Sequence, residues 1–175
     1  MILHRATDDD VPAVAVLMNT AFRGEGDAAG WNSEARYIEG DRTTAALLRD
    51  DLAAKPEAAL LLCRAEGSGS LEGCVWLEPV GAGVWYLGSL TVDPRLQNAG
   101  TGRRLLAAAE AWAQARGART IRMTVVNVRD TLIAWYARRG YSPTGEVRPF
   151  PYDDQRFGVP RRGDLAFVVF EKALA

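Results

Sequence analysis

Histidine, cysteine and lysine are nearly missing from this sequence: 175 residues contain one His, two Cys and two Lys. Two cysteines cannot build a disulfide framework. The lone histidine, His4, lies in the first predicted strand, far from any glycine-rich segment, and is read as structural; no metal is expected. No run approaches the roughly 18 consecutive apolar residues of a membrane span. The start, Met1-Ile2-Leu3-His4-Arg5, lacks the basic opening and apolar run of a secretory leader, so a cytoplasmic location and no membrane partner are expected. There is no zinc-finger spacing and no basic zipper, and the net charge is −1, which disfavours nucleic acid as a partner. What remains is ordinary for one globular domain over residues 1–175, with 48% hydrophobic and 25% charged residues.

The charge is unevenly placed. Residues 1–94 hold 7 basic and 15 acidic side chains, residues 95–148 hold 10 and 3, and residues 149–175 hold 4 of each. A basic middle segment suits a polyanionic ligand, and an acidic first half could attract a cationic one.

Periodicity sets out the elements. Residues 1–6 form a short strand, and Thr7-Asp8-Asp9-Asp10 reads as a capped helix start with carboxylates facing the helix dipole. Val11, Val14, Ala15, Met18 and Phe22 follow at helical spacing. Glycines at 24, 26 and 30 predict a loop, and a second helical stretch over 33–54 is interrupted near Gly40. Ala58–Ala65 and Leu71–Glu78 form a hairpin around Gly67–Ser70, and Val84–Val92 is a third strand, in which Gly88 marks a bulge or a close backbone approach by a ligand. A helix over 101–116, a strand over 120–126, a helix over 130–139 and strands over 141–147 and 165–170 complete the chain. The last strand is apolar on both faces and should be central. The fold class is α/β (α+β), with a mixed sheet.

One segment carries chemistry: Leu90-Thr91-Val92-Asp93-Pro94-Arg95-Leu96-Gln97-Asn98-Ala99-Gly100-Thr101-Gly102-Arg103-Arg104. A strand runs through a proline turn into a glycine-spaced loop that opens a helix. Backbone N–H groups and the helix dipole there favour a phosphate, and Gly100 and Gly102 let it come close. The Walker pattern is absent, and the dinucleotide fingerprint fails because Leu105 stands where the third glycine belongs. The spacing that fits is Gln-x-x-Gly-x-Gly at Gln97, Gly100 and Gly102.

With Val92-x-Pro94 before it and Tyr136-Ala137-Arg138-Arg139-Gly140-Tyr141 after it, the chain resembles the GNAT superfamily of acyl-CoA-dependent N-acetyltransferases over roughly residues 84–142. The resemblance implies a mostly antiparallel central sheet flanked by helices, with acetyl-CoA as acyl donor. It implies that pyrophosphate rests on Gln97, Asn98, Ala99, Gly100, Thr101, Gly102 and Arg103, that pantetheine pairs with the edge of Leu90, Thr91 and Val92, and that Tyr136 is the general acid. The family's asparagine near the start of the tyrosine helix has no direct match; Arg129 holds its place and Asn127 lies two residues earlier. Direct transfer also needs a neutral amine and a stabilised carbonyl oxygen, the latter from backbone N–H groups at Gly88–Leu90. The strand offers Tyr86, Ser89 and Thr91 but no carboxylate, which leaves Glu25, Asp27 and Glu34 as bases, or as solvated loop charges. The alternative is a non-catalytic acyl-CoA-binding or sensor domain.

The acceptor would be a small-molecule amine, a peptide N-terminus or a lysine, met by residues 22–44 and 149–163. Phe150, Tyr152 and Phe157 with Asp153 and Asp154 either frame an ammonium group or pack onto the sheet or a second subunit of a homodimer. A four-residue loop at Gly67–Ser70 would set Cys63 opposite Cys74 on one face, both as thiols.

Overall fold

The computed structural model describes residues 1–26 and 29–175, with the side chain of Phe157 left aside. Its elements are β1 (His4–Arg5), α1 (Val11–Arg23), β2 (Ile38–Glu39), α2 (Ala45–Ala54), β3 (Ala59–Arg64), β4 (Leu71–Gly81), β5 (Val84–Val92), α3 (Thr101–Gln114), β6 (Thr120–Val126), α4 (Asp130–Ala137), β7 (Ser142–Pro149), β8 (Val159–Pro160) and β9 (Ala166–Ala173). Seven strands form one sheet in the order β1-β3-β4-β5-β6-β9-β7, in which only the β5–β6 pair is parallel. β9 lies between β6 and β7, as its two apolar faces require.

Alternation within the strands gives each sheet face its own core. Leu61, Val75, Leu77, Leu87, Ile121 and Met123 pack with α3 and Tyr136 on one side. Leu60, Leu62 and Cys74 pack with α1 and Leu48 of α2 on the other. The Thr7 N–H and hydroxyl both donate to the Asp10 carboxylate, at 2.8 and 2.9 Å, which fixes the entry to α1.

Two expectations are corrected. Residues 33–44 are not helical. The Asn19 carboxamide on α1 accepts the N–H groups of Arg42 and Thr43 and donates to the Thr43 carbonyl, and β2 pairs with β8. These bonds outcompete a helix whose propensity is weak, and the helix starts afresh where the Thr44 hydroxyl caps Leu47. Cys63 and Cys74 do not face each other: Cys63 pairs with Gly73 and Leu62 with Cys74. Ala65 pairs with Ser70, so the loop is Glu66–Gly69, one residue earlier than expected, and Glu72 is an extra residue in β4 between two registers. That shift by one turns the two thiols to opposite faces. Both remain free thiols, and burial pushes them up, to about 11 for Cys63 and about 12 for Cys74. The β5 bulge falls within Gly88–Leu90 as expected: Ser89 and Leu90 together oppose Val75, with Ser89 at φ 48°.

Candidate active site

The bulge lies where the sheet comes apart. β5 pairs with β6 only over Val84–Tyr86, whereas β6 pairs with β9 along its whole length. Beyond Tyr86 the two parallel strands diverge, and the β6-facing edge of Leu87–Val92 borders a wedge. At the fork the Tyr86 and Thr124 hydroxyls bridge the two strands at 3.2 Å. Gly88 is needed here, because a Cβ would stand 2.8 Å from the Tyr86 ring. Thr91, fully buried, donates its hydroxyl to the Ser89 carbonyl at 2.8 Å and holds the bulge in shape.

The wedge opens into a cleft of about 1210 Å³. Leu90, Val92, Gln97, Asn98, Gly100, Gly102 and Arg103 line one end of it, and Tyr136 lines its wall. The Asp93 carboxylate accepts the Arg95 N–H at 2.9 Å and shapes the turn out of β5. Gly100, at φ 76°, brings the chain into α3 in a conformation that other residues adopt only under strain. Thr101 is buried and Ala99 is exposed; the Arg104 guanidinium donates to both, at the Thr101 hydroxyl (3.1 Å) and the Ala99 carbonyl (3.0 Å). A Cβ on Gly102 would fall between Trp135 and Val92 at ordinary contact distances, so the protein alone does not require glycine there.

The Gln97 carboxamide accepts the Trp31 N–H at 3.0 Å, and a Cβ on Gly30 would stand 2.4 Å from it. The segment before α2 thus rests against the glycine loop, with Trp31 beside Trp135 (6.2 Å between rings) and the Arg139 guanidinium stacked 3.6 Å from Trp135. Nothing in the sequence pairs Gly30 with Gln97.

Tyr136 is 6% exposed, with its ring edge-on to Trp135 and Tyr141. Burial raises its pKa above the usual phenol range; Arg129 opposes that rise, Tyr86 adds to it and Arg139 opposes it. The neighbouring Tyr141 hydroxyl is committed to Glu110 at 2.8 Å.

Glu34 is not a solvated loop charge. Its carboxylate is buried and accepts from the Arg23 and Arg129 guanidinium groups, each at 2.7 Å. Arg129, at the start of α4, also donates to the Asn32 carbonyl at 2.7 Å and to its side chain. Its guanidinium therefore binds the segment before α2. Asn127 spends its carboxamide on the chain entering β9, donating to the Asp164 carbonyl and accepting the Ala166 N–H. Glu25 is exposed, and Asp27 lies outside the described residues. His4 lies in β1, at the edge of the sheet.

Of the aromatics of the β7–β9 connection, Phe150 packs inward, Tyr152 is exposed, and the side chain of Phe157 lies outside the described residues. Phe150 is buried against Phe167 at 5.4 Å, and the Tyr152 hydroxyl accepts the Leu165 N–H and donates to the Arg162 carbonyl. Asp153 and Asp154 are both exposed, and Asp154 accepts the Arg156 N–H. Among the described residues no helix is long and apolar enough to cross a membrane.

Residues 27–141 match the model of the acetyltransferase (GNAT) family. No curated protein matches the sequence. Solved structures are similar in fold. A ribosomal-protein-alanine N-acetyltransferase from Brucella melitensis is 19% identical over 99% of this chain and 100% of its own, with a TM-score of 0.71. An N-acetyltransferase from Staphylococcus aureus Mu50 is 15% identical over 99% and 98%, at 0.69. A GNAT family acetyltransferase from Elizabethkingia anophelis, solved with acetyl-CoA bound, is 16% identical over 73% and 82%, at 0.58.

Proposed function

The chain belongs to the GNAT acetyltransferase family, and from that premise we propose that it moves an acetyl group from acetyl-CoA to a primary amine by direct attack in a ternary complex. The observation that carries this reading is the wedge between β5 and β6. It leads from an unpaired strand edge to the glycine-opened start of α3, and Tyr136 lines the same cleft.

The residues present suit the donor. Gln97, Asn98, Ala99, Gly100, Thr101, Gly102 and Arg103 offer backbone N–H groups, a helix N-terminus and a cation to a pyrophosphate. The absence of a side chain at Gly102 lets it approach the main chain. The edge of Leu90, Thr91 and Val92 offers main-chain donors and acceptors to the amides of a pantetheine arm. Asn127 contributes through the turn it holds, since its side chain is committed elsewhere. When bound, acetyl-CoA supplies a thioester activated toward amines.

The chain then does three things. The main-chain N–H groups at the Ser89–Leu90 bulge lie beside the wedge and polarise a carbonyl oxygen there. The cleft walls hold a neutral amine against it. Tyr136 donates its hydroxyl proton to the sulfur as the C–S bond breaks and the C–N bond forms. Solvent takes the proton that the nitrogen sheds and restores the phenol, so an amide and a free thiol leave with no net change in protons.

The test is mass-spectrometric detection of acetyl transfer to a broad amine library. Tyr136→Phe should lower kcat by roughly 10²–10⁴ while CoA affinity changes little. CoA binding with no product from any amine would favour a sensor domain, and full turnover in Tyr136→Phe would reduce the phenol to a packing group.

A further inference from the structure

Where the start of α3 meets the end of α4, cations gather without an acid to pair with. Arg103 follows Gly102 at the start of α3, and Arg138 and Arg139 follow the last turn of α4. Among the described residues, none of the three takes part in an ion pair. Arg104, by contrast, is committed to Ala99 and Thr101. The Arg139 side chain folds back over its own helix. Its Nη1 donates to the Trp135 carbonyl at 2.6 Å, and its guanidinium lies 3.6 Å from the centre of the Trp135 ring. Its Nε is buried without a hydrogen-bond partner, and among the described residues no other side-chain nitrogen or oxygen is left in that state. Such an orphan calls for an explanation, and a bound ligand is one. Burial, then the charges of Arg138 and Arg103, hold the Arg139 pKa below its ordinary value, with Tyr136 opposing them.

One indole separates this group from the glycine loop. A Cβ on Gly102 would stand 3.5 Å from Trp135, and the Trp135 ring carries the Arg139 guanidinium. Gly102, Arg103, Trp135 and Arg139 all line the cleft. A ligand whose pyrophosphate rests on the start of α3 therefore meets Arg139 about one ring further on. In CoA that ring is the ribose, and its 3′ carbon bears a phosphate monoester. The planar fork of a guanidinium matches two oxygens of such a group. A nearly dianionic phosphate also offsets the repulsion among the three cations. Arg103 and Arg138 are exposed and Arg139 is half-buried, so the site is open to water and its strength depends on salt.

We propose that Arg139, with Arg103 and Arg138 beside it, binds the 3′-phosphate on the ribose of CoA. This rests on the reading of the α3 start as the pyrophosphate site of acetyl-CoA. It gives the protein a means of donor selection that the glycine loop alone does not supply. A pyrophosphate is common to CoA, NAD and ADP, and a loop of backbone N–H groups accepts it in each. The 3′-phosphate is carried by CoA and by neither of the others, so Arg139 favours the thioester carrier over more general nucleotides.

The test is calorimetric titration of the protein with CoA and, in parallel, with 3′-dephospho-CoA at low ionic strength. CoA should bind roughly 10-fold more tightly. Arg139→Gln should remove most of that gap by weakening CoA alone. Its affinity for 3′-dephospho-CoA should stay at the wild-type value, which also shows that the loop and α4 remain folded. Arg139→Lys, which keeps the charge but loses the fork, should retain part of the gap. Equal binding of the two ligands by the wild-type protein overturns the inference and leaves the pyrophosphate site standing. A gap that survives in Arg139→Gln overturns it as well. If neither ligand binds, the pyrophosphate reading fails and the inference fails with it.

Discussion

Charged groups in this protein divide into those in water and those whose burial makes them matter. Glu34 belongs to the second kind, with two guanidinium groups on one carboxylate and all three side chains at most 9% exposed. Removing the carboxylate takes the shared anion from two buried guanidinium groups, a loss that typically costs about 3–5 kcal/mol. Glu34→Ala should lower the urea midpoint accordingly, and a midpoint equal to wild type would show that the cluster is solvated. Asp93 offers a pH test. Its bonds to the Arg95 side chain, chiefly, hold its carboxyl below the usual value, against burial and with help from the Arg95 N–H. A depressed folded value contributes stability above the unfolded value, about 3.9, and loses it as pH falls through the folded one. Asp93→Asn should therefore be less stable than wild type near neutral pH, with the difference shrinking below about pH 4. A difference that does not change with pH would assign the effect to shape alone. The sequence did not disclose the Glu34 cluster, because Arg129 is 95 residues away and a lone glutamate in a glycine-rich segment has no local signature.

Elements bounded by clear local chemistry were legible in advance. Val84–Val92 and Thr120–Val126 match their strands residue for residue, because β-branched and aromatic runs end there at a proline turn or a polar turn. The misread parts are those that a distant group decides: the Asn19 carboxamide unwinds residues 42–43, and the extra residue Glu72 moves the β3–β4 register. The bulge in β5 was foreseen from Gly88 and centres on Ser89, where the buried Thr91 hydroxyl secures it. Thr91→Val keeps the volume and removes that bond, leaving the Ser89 carbonyl without this donor, and should destabilise the fold by about 1–3 kcal/mol. Equilibrium unfolding measures the loss. On the proposed mechanism, in which the bulge carries the oxyanion donors, acetyl transfer should fall further than stability; an unchanged kcat would place those donors elsewhere.

At the scale of the molecule, two independent cores clamp one sheet, and the sheet opens only between β5 and β6. The end of that opening where we propose acetyl-CoA binds, with Gln97, Gly100, Gly102 and Tyr136, stood out in the sequence because it is built from consecutive chain and a fixed spacing. The other end did not, since Arg42, Asp51, Ser89, Arg129 and Arg156 come together only through the fold. The central claim is that the start of α3 is a pyrophosphate site for acetyl-CoA. Thermal unfolding with added acetyl-CoA tests it most directly. At a hundred-fold excess over Kd the ligand should stabilise the protein by about 2.7 kcal/mol, and Gly100→Asp, which places a carboxylate and a side chain at φ 76°, should abolish the gain. Stabilisation by NAD or ATP but not by acetyl-CoA would contradict the account.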